Sequence, residues 1–273
     1  ITGILDSFLT SVRYSLICEW KLAPLPLTIL AEQQDGLLTL TFNRPEKRNA
    51  LNTETYLALT DALRQAARDE EVHVLLLQGQ AECFTAGNDL ADFVGKHALE
   101  PDDPILQFLH TLADFPKPVI AAVGGPAVGI GTTLLLHCDL VYLGDNARLQ
   151  LPFVELGLVP EFAASLLLPR AVGHLKAAEL LLLAEAIDGE EALRLGLANR
   201  VLAPADLLPF AREQGLKLAA KPPMALQKSK ALLKQELKQA VHFVIDLEAR
   251  AFAQALQGEE AQSRIASKLQ KRR

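Results

Sequence analysis

Residues 124–140 read GGPAVGIGTTLLLHCDL, so bare backbone stands directly ahead of an apolar run holding one histidine and one aspartate. Gly129, Ile130 and Gly131 follow a strand-like run, VIAAV, and precede a helical pattern predicted over 132–137. The first N–H groups of a helix have no partner within it, and the helix dipole places partial positive charge there. Glycines on both sides leave the Ile130 amide accessible, so this stretch can hold a negative charge. It reads equally well as a tight strand-to-helix turn. A second set of small residues, Ala86-Gly87-Asn88 in CFTAGNDL (83–90), can also present a backbone N–H, although a Gly-Asn pair usually only turns the chain.

The side chains able to move protons are few. Glu161 lies in GLVPEFAAS, where its own neighbours suggest a surface-loop glutamate or an aid to the N-cap of a helix starting near Ala163. Glu155, six residues earlier, fits a partner for nearby arginines. Asp139 sits where a helix enters a strand and suits a structural hydrogen bond. His110 and His137 have no acidic or cysteine neighbour at ligand spacing, so no metal site is expected. No Gly-x-Ser-x-Gly elbow occurs, which removes the serine-hydrolase reading.

The elements that must position these residues follow from periodicity. The runs LLTLTF (37–42), VHVLLL (72–77), VIAAV (119–123) and LVYL (140–143) read as short buried strands. A helix is predicted over 53–68, capped by Asn52 or Thr53, with Leu57, Leu59, Leu63 and Ala67 on its apolar face. Further helices are expected over 175–183 and 189–195. Strands alternating with helices imply an α/β class with parallel pairing. From Pro222 the chain becomes a lysine-, glutamate- and glutamine-rich helical tail whose apolar stripe must cover this chain or a neighbouring subunit.

Composition narrows the function classes. The 273 residues are half hydrophobic and 22% charged, enough for a large core. A net charge of −6 argues against a nucleic-acid partner, and Glu236, Asp246 and Glu248 offset the lysines of the tail. Cys18, Cys83 and Cys138 make an odd set without metal-ligand spacing, which points to a reducing, cytoplasmic setting. Asp6, Arg13, Glu19 and Lys21 interrupt the apolar start, so 1–26 is expected to be an irregular extension. The apolar stretch 118–144 is broken by Pro126, His137, Asp139 and several glycines, so no membrane partner is expected.

Taken together, FNRPEKRNALN (42–52), CFTAGNDL, GGPAVGIGTTLLLHCDLVY, LPFVELGLVPEFAASLLLPRAVG (151–173), AIDGEEALRLGLANRV and PPMALQKSKALL occur in an order and spacing that resembles the enoyl-CoA hydratase/isomerase, or crotonase, family. The resemblance covers the chain from about Leu27 onward. It implies a spiral of β-β-α turns over 27–215, a C-terminal helical region over 216–273 concerned with oligomerisation or lid formation, and assembly as a homotrimer or dimer of trimers. It also implies an acyl-CoA thioester substrate and no separate cofactor, coenzyme A being part of the substrate.

Carried over position by position, the resemblance makes the N–H groups of Asn88 and Ile130 the donors to the thioester oxygen, leaving both side chains free to vary. Lys47, Arg48 and Ala50, together with Ala86, Gly87 and Asp89 and with Gly129 and Gly131, would line the substrate site. Lys47 and Arg48 fit phosphate contacts or a solvated charged loop alike. Hydratases of the family carry two glutamates that hold the attacking water; here those positions are Thr133 and Phe153, neither an acid nor a base. Glu161 instead matches the glutamate of peroxisomal-type Δ3,Δ2-enoyl-CoA isomerases. The expected reaction is therefore the shift of a 3-enoyl-CoA double bond to the 2,3 position, with Glu161 as the single acid/base. A 2-enoyl-CoA hydratase and a non-catalytic acyl-CoA-binding homologue are the alternatives.

Overall fold

The computed structural model describes residues 26–94 and 102–270; the expectation for 1–26 lies, apart from Pro26, outside them. Among the described residues the strands are β1 (Ile29–Gln34), β2 (Leu37–Phe42), β3 (Val74–Gln78), β4 (Val119–Val123), β5 (Pro126–Val128), β6 (Leu140–Gly144), β7 (Arg148–Gln150), β8 (Ile187–Asp188) and β9 (Arg200–Leu202). They build one sheet in the order β1-β2-β3-β4-β6-β9 and a second in the order β5-β7-β8. β1 and β2 pair antiparallel, and every later pair of the larger sheet is parallel.

The chain alternates between the sheets. β4 enters the first and β5 the second, then β6 the first and β7 the second. An isolated parallel bridge between Thr85 and Ala127 lays the preceding turn beside β5, so the path advances as a spiral of α/β turns. β3 and β4 are buried on both faces, which is why both read as unbroken apolar runs. Alternate side chains serve two clusters: Leu75, Leu77, Ala121 and Val123 face the main core, while Val74, Leu76, Ile120 and Ala122 meet a smaller one.

The helices are α1 (Thr53–Arg68), α2 (Pro104–Ala113), α3 (Ile130–Thr133), α4 (Ala164–Val172), α5 (His174–Leu182), α6 (Gly189–Arg194), α7 (Pro204–Ala219), α8 (Pro223–Lys234), α9 (Lys238–Leu256) and α10 (Glu259–Gln270). Asn52 caps α1, its side chain accepting from the Thr55 N–H at 3.0 Å. The buried face of α1 differs from the expected one. Leu57 is 45% exposed, and Tyr56, Leu59, Leu63 and Ala66 point inward, a spacing of three and four residues that fits the helical period better. The helix expected over 132–137 starts at Ile130 and tightens into a 3-10 turn from Leu134 to His137.

The expected boundary at 215/216 falls inside α7, whose Leu207, Ala211 and Ala219 cover the smaller cluster; the C-terminal helical region begins at α8. That region is no separate unit. Ile245, Ala249 and Phe252 of α9 and Ile265 of α10 belong to the main core, as does Leu256, so the tail covers its own chain on this face.

Candidate active site

The two small-residue turns are pressed together by the spiral. Leu51 forms a parallel bridge with Asn88, its N–H donating to the Gly87 carbonyl at 2.9 Å and its carbonyl accepting from the Asp89 N–H at 2.8 Å. A parallel bridge of this kind engages the groups flanking Asn88 and turns the amide of Asn88 itself to the opposite side. Gly87 is required by proximity, because a Cβ there would lie 2.6 Å from the Val128 carbonyl oxygen. That close approach sets the Asn88 loop against the segment leading to Ile130.

Gly129 is required by conformation. Its φ of 56° with ψ of −116° suits glycine, whereas the space beside it is open. This turn ends β5 abruptly and makes Ile130 the first residue of α3, so its N–H has no acceptor within the helix. Gly129 is anchored by donating to the Gln150 carbonyl at 2.9 Å, and its own carbonyl receives Thr132 and Thr133. A cavity of ≈ 50 Å³ opens beside the turns, walled by Asn88, Gly129, Phe93, Phe153, Leu158 and Phe252, with Lys268 of α10 at its edge. Three larger cavities, of ≈ 400, ≈ 320 and ≈ 280 Å³, are not lined by Asn88, Ile130 or Glu161.

Glu161 is neither a surface glutamate nor a cap. It is 6% exposed and lies one hydrogen bond behind the cavity wall, where the side-chain amide of Asn88 donates to its oxygens at 3.3 and 3.5 Å. Burial pushes its carboxyl up to about 8; the Asn88 amide opposes the shift and the Glu248 carboxylate adds to it. The side chain of Asn88 is therefore not free to vary as the sequence suggested. It also accepts a hydrogen bond from the Tyr56 hydroxyl, so Tyr56, Asn88 and Glu161 form a chain. Thr133 and Phe153 are both buried and carry no titratable group.

The turn carrying Glu161 is held from three sides. Phe162 and Ala163 both adopt left-handed φ, 63° and 54°, which is uncommon for residues with a Cβ and needs support from the surroundings. His137 stacks on Phe162 with centroids 3.7 Å apart. Its Nε2–H donates to the Phe162 carbonyl at 2.8 Å, which fixes the tautomer, since a carbonyl only accepts. Burial lowers His137 to about 3, so it stays neutral. Glu248 of α9 receives the Ser165 N–H at 2.8 Å and caps α4, the task the sequence allowed Glu161. Phe108 of α2 packs between Tyr56 and Phe162, at 5.4 and 6.2 Å.

The remaining residues singled out above divide cleanly. Lys47 and Arg48 are exposed on the loop after β2, and the Arg48 carbonyl accepts from the Ala86 N–H at 2.9 Å. Ala50 is buried, and Gly131 lies in α3 against Thr85. Asp89 is occupied structurally: its carboxylate pairs with Arg44 at 3.2 Å and accepts from the Ala91 N–H. Asn49, not singled out in the sequence, staples this loop through its buried amide to Gln80, Cys83 and Phe84. Glu155 is exposed and lies 3.8 Å from Lys268; its expected partner was an arginine, and Arg264 instead donates to its carbonyl. Asp139 accepts from the Val119 N–H at 2.7 Å and pairs with Lys230 at 2.8 Å, as its position suggested.

Folding does give His110 an acidic neighbour that spacing hid. It lies 2.9 Å from Asp246 and 2.9 Å from His242, which in turn meets Asp114 at 3.0 Å. Among the described residues no group of three or more histidine, cysteine, aspartate or glutamate side chains is arranged to hold a metal ion. None of the helices described is long and apolar enough to cross a membrane.

Known proteins are similar to this chain over most of its length. The enoyl-CoA hydratase/isomerase family pattern matches residues 32–273. The chain belongs to that family. It is 37% identical over 246 residues to the 2,3-dehydroadipyl-CoA hydratase of Escherichia coli, covering 89% of this chain and 96% of that one. It is 35% identical over 227 residues to human enoyl-CoA delta isomerase 2, covering 80% of this chain but only 57% of that longer protein. Among solved structures, Pseudomonas aeruginosa OdaA superposes with a TM-score of 0.86 at 45% identity, over 89% of this chain and 98% of that one. The fold is thus crotonase-like, and the protein is an acyl-CoA enzyme of the hydratase/isomerase group.

Proposed function

We propose that this enzyme shifts the double bond of a 3-enoyl-CoA thioester to the 2,3 position, with Glu161 as its only acid/base. The Glu161 carboxylate takes a proton from C2, and the C–H electron pair moves into the thioester as an enolate. The amides of Asn88 and Ile130 receive the negative charge on oxygen. Two fixed donors aimed at charge that develops in the transition state typically contribute about 3 kcal/mol each. Glu161 then returns the proton to C4, the 3,4 bond becomes single and the 2,3 bond double. No metal or separate cofactor enters this scheme.

One observation carries the reading. Glu161 is buried and hydrogen-bonded to the very residue whose main chain supplies an oxyanion donor, while Thr133 and Phe153 replace the two acids that hydration uses. A carboxyl held near 8 lies within about one pH unit of neutrality, so both its acid and its base form are within reach there. Hydration is the second reading, supported by the likeness to the E. coli hydratase. Product analysis with matched 2-enoyl and 3-enoyl thioesters separates them. Rapid conversion of the 3-enoyl substrate without 3-hydroxyacyl product supports isomerisation; rapid hydration of the 2-enoyl substrate overturns it.

Self-association is part of this proposal. Leu232 and Leu233 of α8 are 77% and 85% exposed, and Phe243 of α9 is 63% exposed. Faces of this kind are usually covered by a partner, and the trimeric assembly implied by the family resemblance supplies one. Light scattering reading a monomer at micromolar concentration would remove it. A cytoplasmic setting belongs to the same reading.

A further inference from the structure

Tyr56 lies on α1, 1% exposed, with no place in the proton transfer just described. Its hydroxyl has one partner in the site, the side-chain oxygen of Asn88. Its ring is wedged against Phe108, which backs Phe162 next to Glu161. A buried tyrosine hydroxyl at such a place needs a hydrogen bond, but it need not lead anywhere. Here it leads to the base.

We infer that Tyr56 is a positioning residue for the acid/base: by donating to the Asn88 side-chain oxygen it locks that amide so its NH₂ faces the Glu161 carboxylate. The inference rests on reading Glu161 as the base. An asparagine side chain offers an acceptor on one side and donors on the other, and a half-turn exchanges them. Turned the wrong way, Asn88 would present its oxygen to the carboxylate and repel the ionised form. The Tyr56 hydroxyl lies on the acceptor side and prefers to donate; burial and nearby carboxylates hold its own ionisation well above the ordinary range. The correct orientation is then satisfied at both ends of the amide.

The consequence is geometric as well as electrostatic. Asn88 contributes its main-chain N–H to the thioester oxygen and its side chain to the base. The separation between base and oxyanion is thereby set within a single residue, and Tyr56 removes the remaining rotation about its amide. The amide stabilises the ionised carboxylate, opposing the effect of burial. Losing its orientation makes Glu161 harder to ionise rather than displacing the oxyanion donors.

The test is the pH dependence of kcat/KM for Tyr56→Phe, Asn88→Leu and the double variant, beside Glu161→Gln. Asn88→Leu keeps the main-chain donor and deletes only the amide. The inference expects Tyr56→Phe to lower kcat/KM about tenfold at pH 7, with the loss shrinking towards high pH as the carboxylate ionises fully, equivalent to about one unit in the apparent ionisation. The double variant should be no worse than Asn88→Leu, because Tyr56 acts through that amide. A merely structural tyrosine would instead give a loss that is equal at every pH and adds to that of Asn88→Leu, which would overturn the inference. If Tyr56→Phe fails to fold, Asn88→Leu alone must still move the profile upward, and an unmoved profile overturns the inference too. Full activity of Glu161→Gln would instead remove the underlying reading, a result distinct from either.

Discussion

At the residue scale, the site depends on a few atoms whose placement has separable consequences. Replacing Gly129 by alanine forces a Cβ into a backbone conformation suited to glycine, at a cost of about 1–3 kcal/mol. It also re-aims the Ile130 amide, and kcat should fall about 100-fold, while alanine at the neighbouring Ile130, which leaves the main chain in place, should do less. Steady-state kinetics on the two variants checks this. Asn88 shows where sequence reading stopped. Its main-chain N–H was singled out from the Gly-Asn turn and the family resemblance, but its side-chain contacts were not legible, because Tyr56 and Glu161 lie 32 and 73 residues away. Tyr56 itself was hidden by assigning Leu57 to the inner face of α1, a choice one residue out of phase.

At the scale of elements, the turn bearing Glu161 is held by parts distant in sequence: the 3-10 turn ending at His137, and Glu248 from α9 capping α4. Glu248 also places negative charge near Glu161, which makes its carboxyl harder to ionise. Glu248→Gln keeps an acceptor for Ser165 and removes that charge. The rise of kcat/KM with pH should then move to lower pH; a profile that stays in place contradicts this coupling. Most strands and helices were readable in outline, since buried parallel strands are continuous apolar runs and α1 carries a clear cap at Asn52. The long-range caps were not, because a buried glutamate on a helix looks in sequence like any solvated one. The His110–His242 contact was invisible for the same reason, its partners being brought together only when α2 meets α9.

At the scale of the whole molecule, two buried groups impose opposite pH slopes on stability. His137 is held neutral down to about 3, against an ordinary value of 6.5. The unfolded chain binds that proton first, so stability is lost as pH falls from 6.5 towards 3. Glu161 is raised to about 8 from 4.5, so its contribution is complete below 4.5 and lost as pH rises towards 8. Each slope is at most about 1.4 kcal/mol per pH unit. Glu161→Gln should therefore raise the melting temperature at pH 8 and leave it nearly unchanged below pH 4.5, as differential scanning calorimetry can check. Under the proposed reaction, that cost falls on the acid that would shuttle the proton.

The most direct test of that shuttle is turnover of a 3-trans-enoyl-CoA by Glu161→Gln and by the unaltered enzyme across pH 6 to 9. Glutamine is close to isosteric and can still accept from the Asn88 amide, so fold and substrate affinity should persist while kcat falls by about 100-fold or more. For the unaltered enzyme, kcat/KM should rise with pH, reach half its plateau near 8 and level off above it, as the base ionises. Undiminished turnover by the glutamine variant, with 2-enoyl-CoA still the product, would contradict the account.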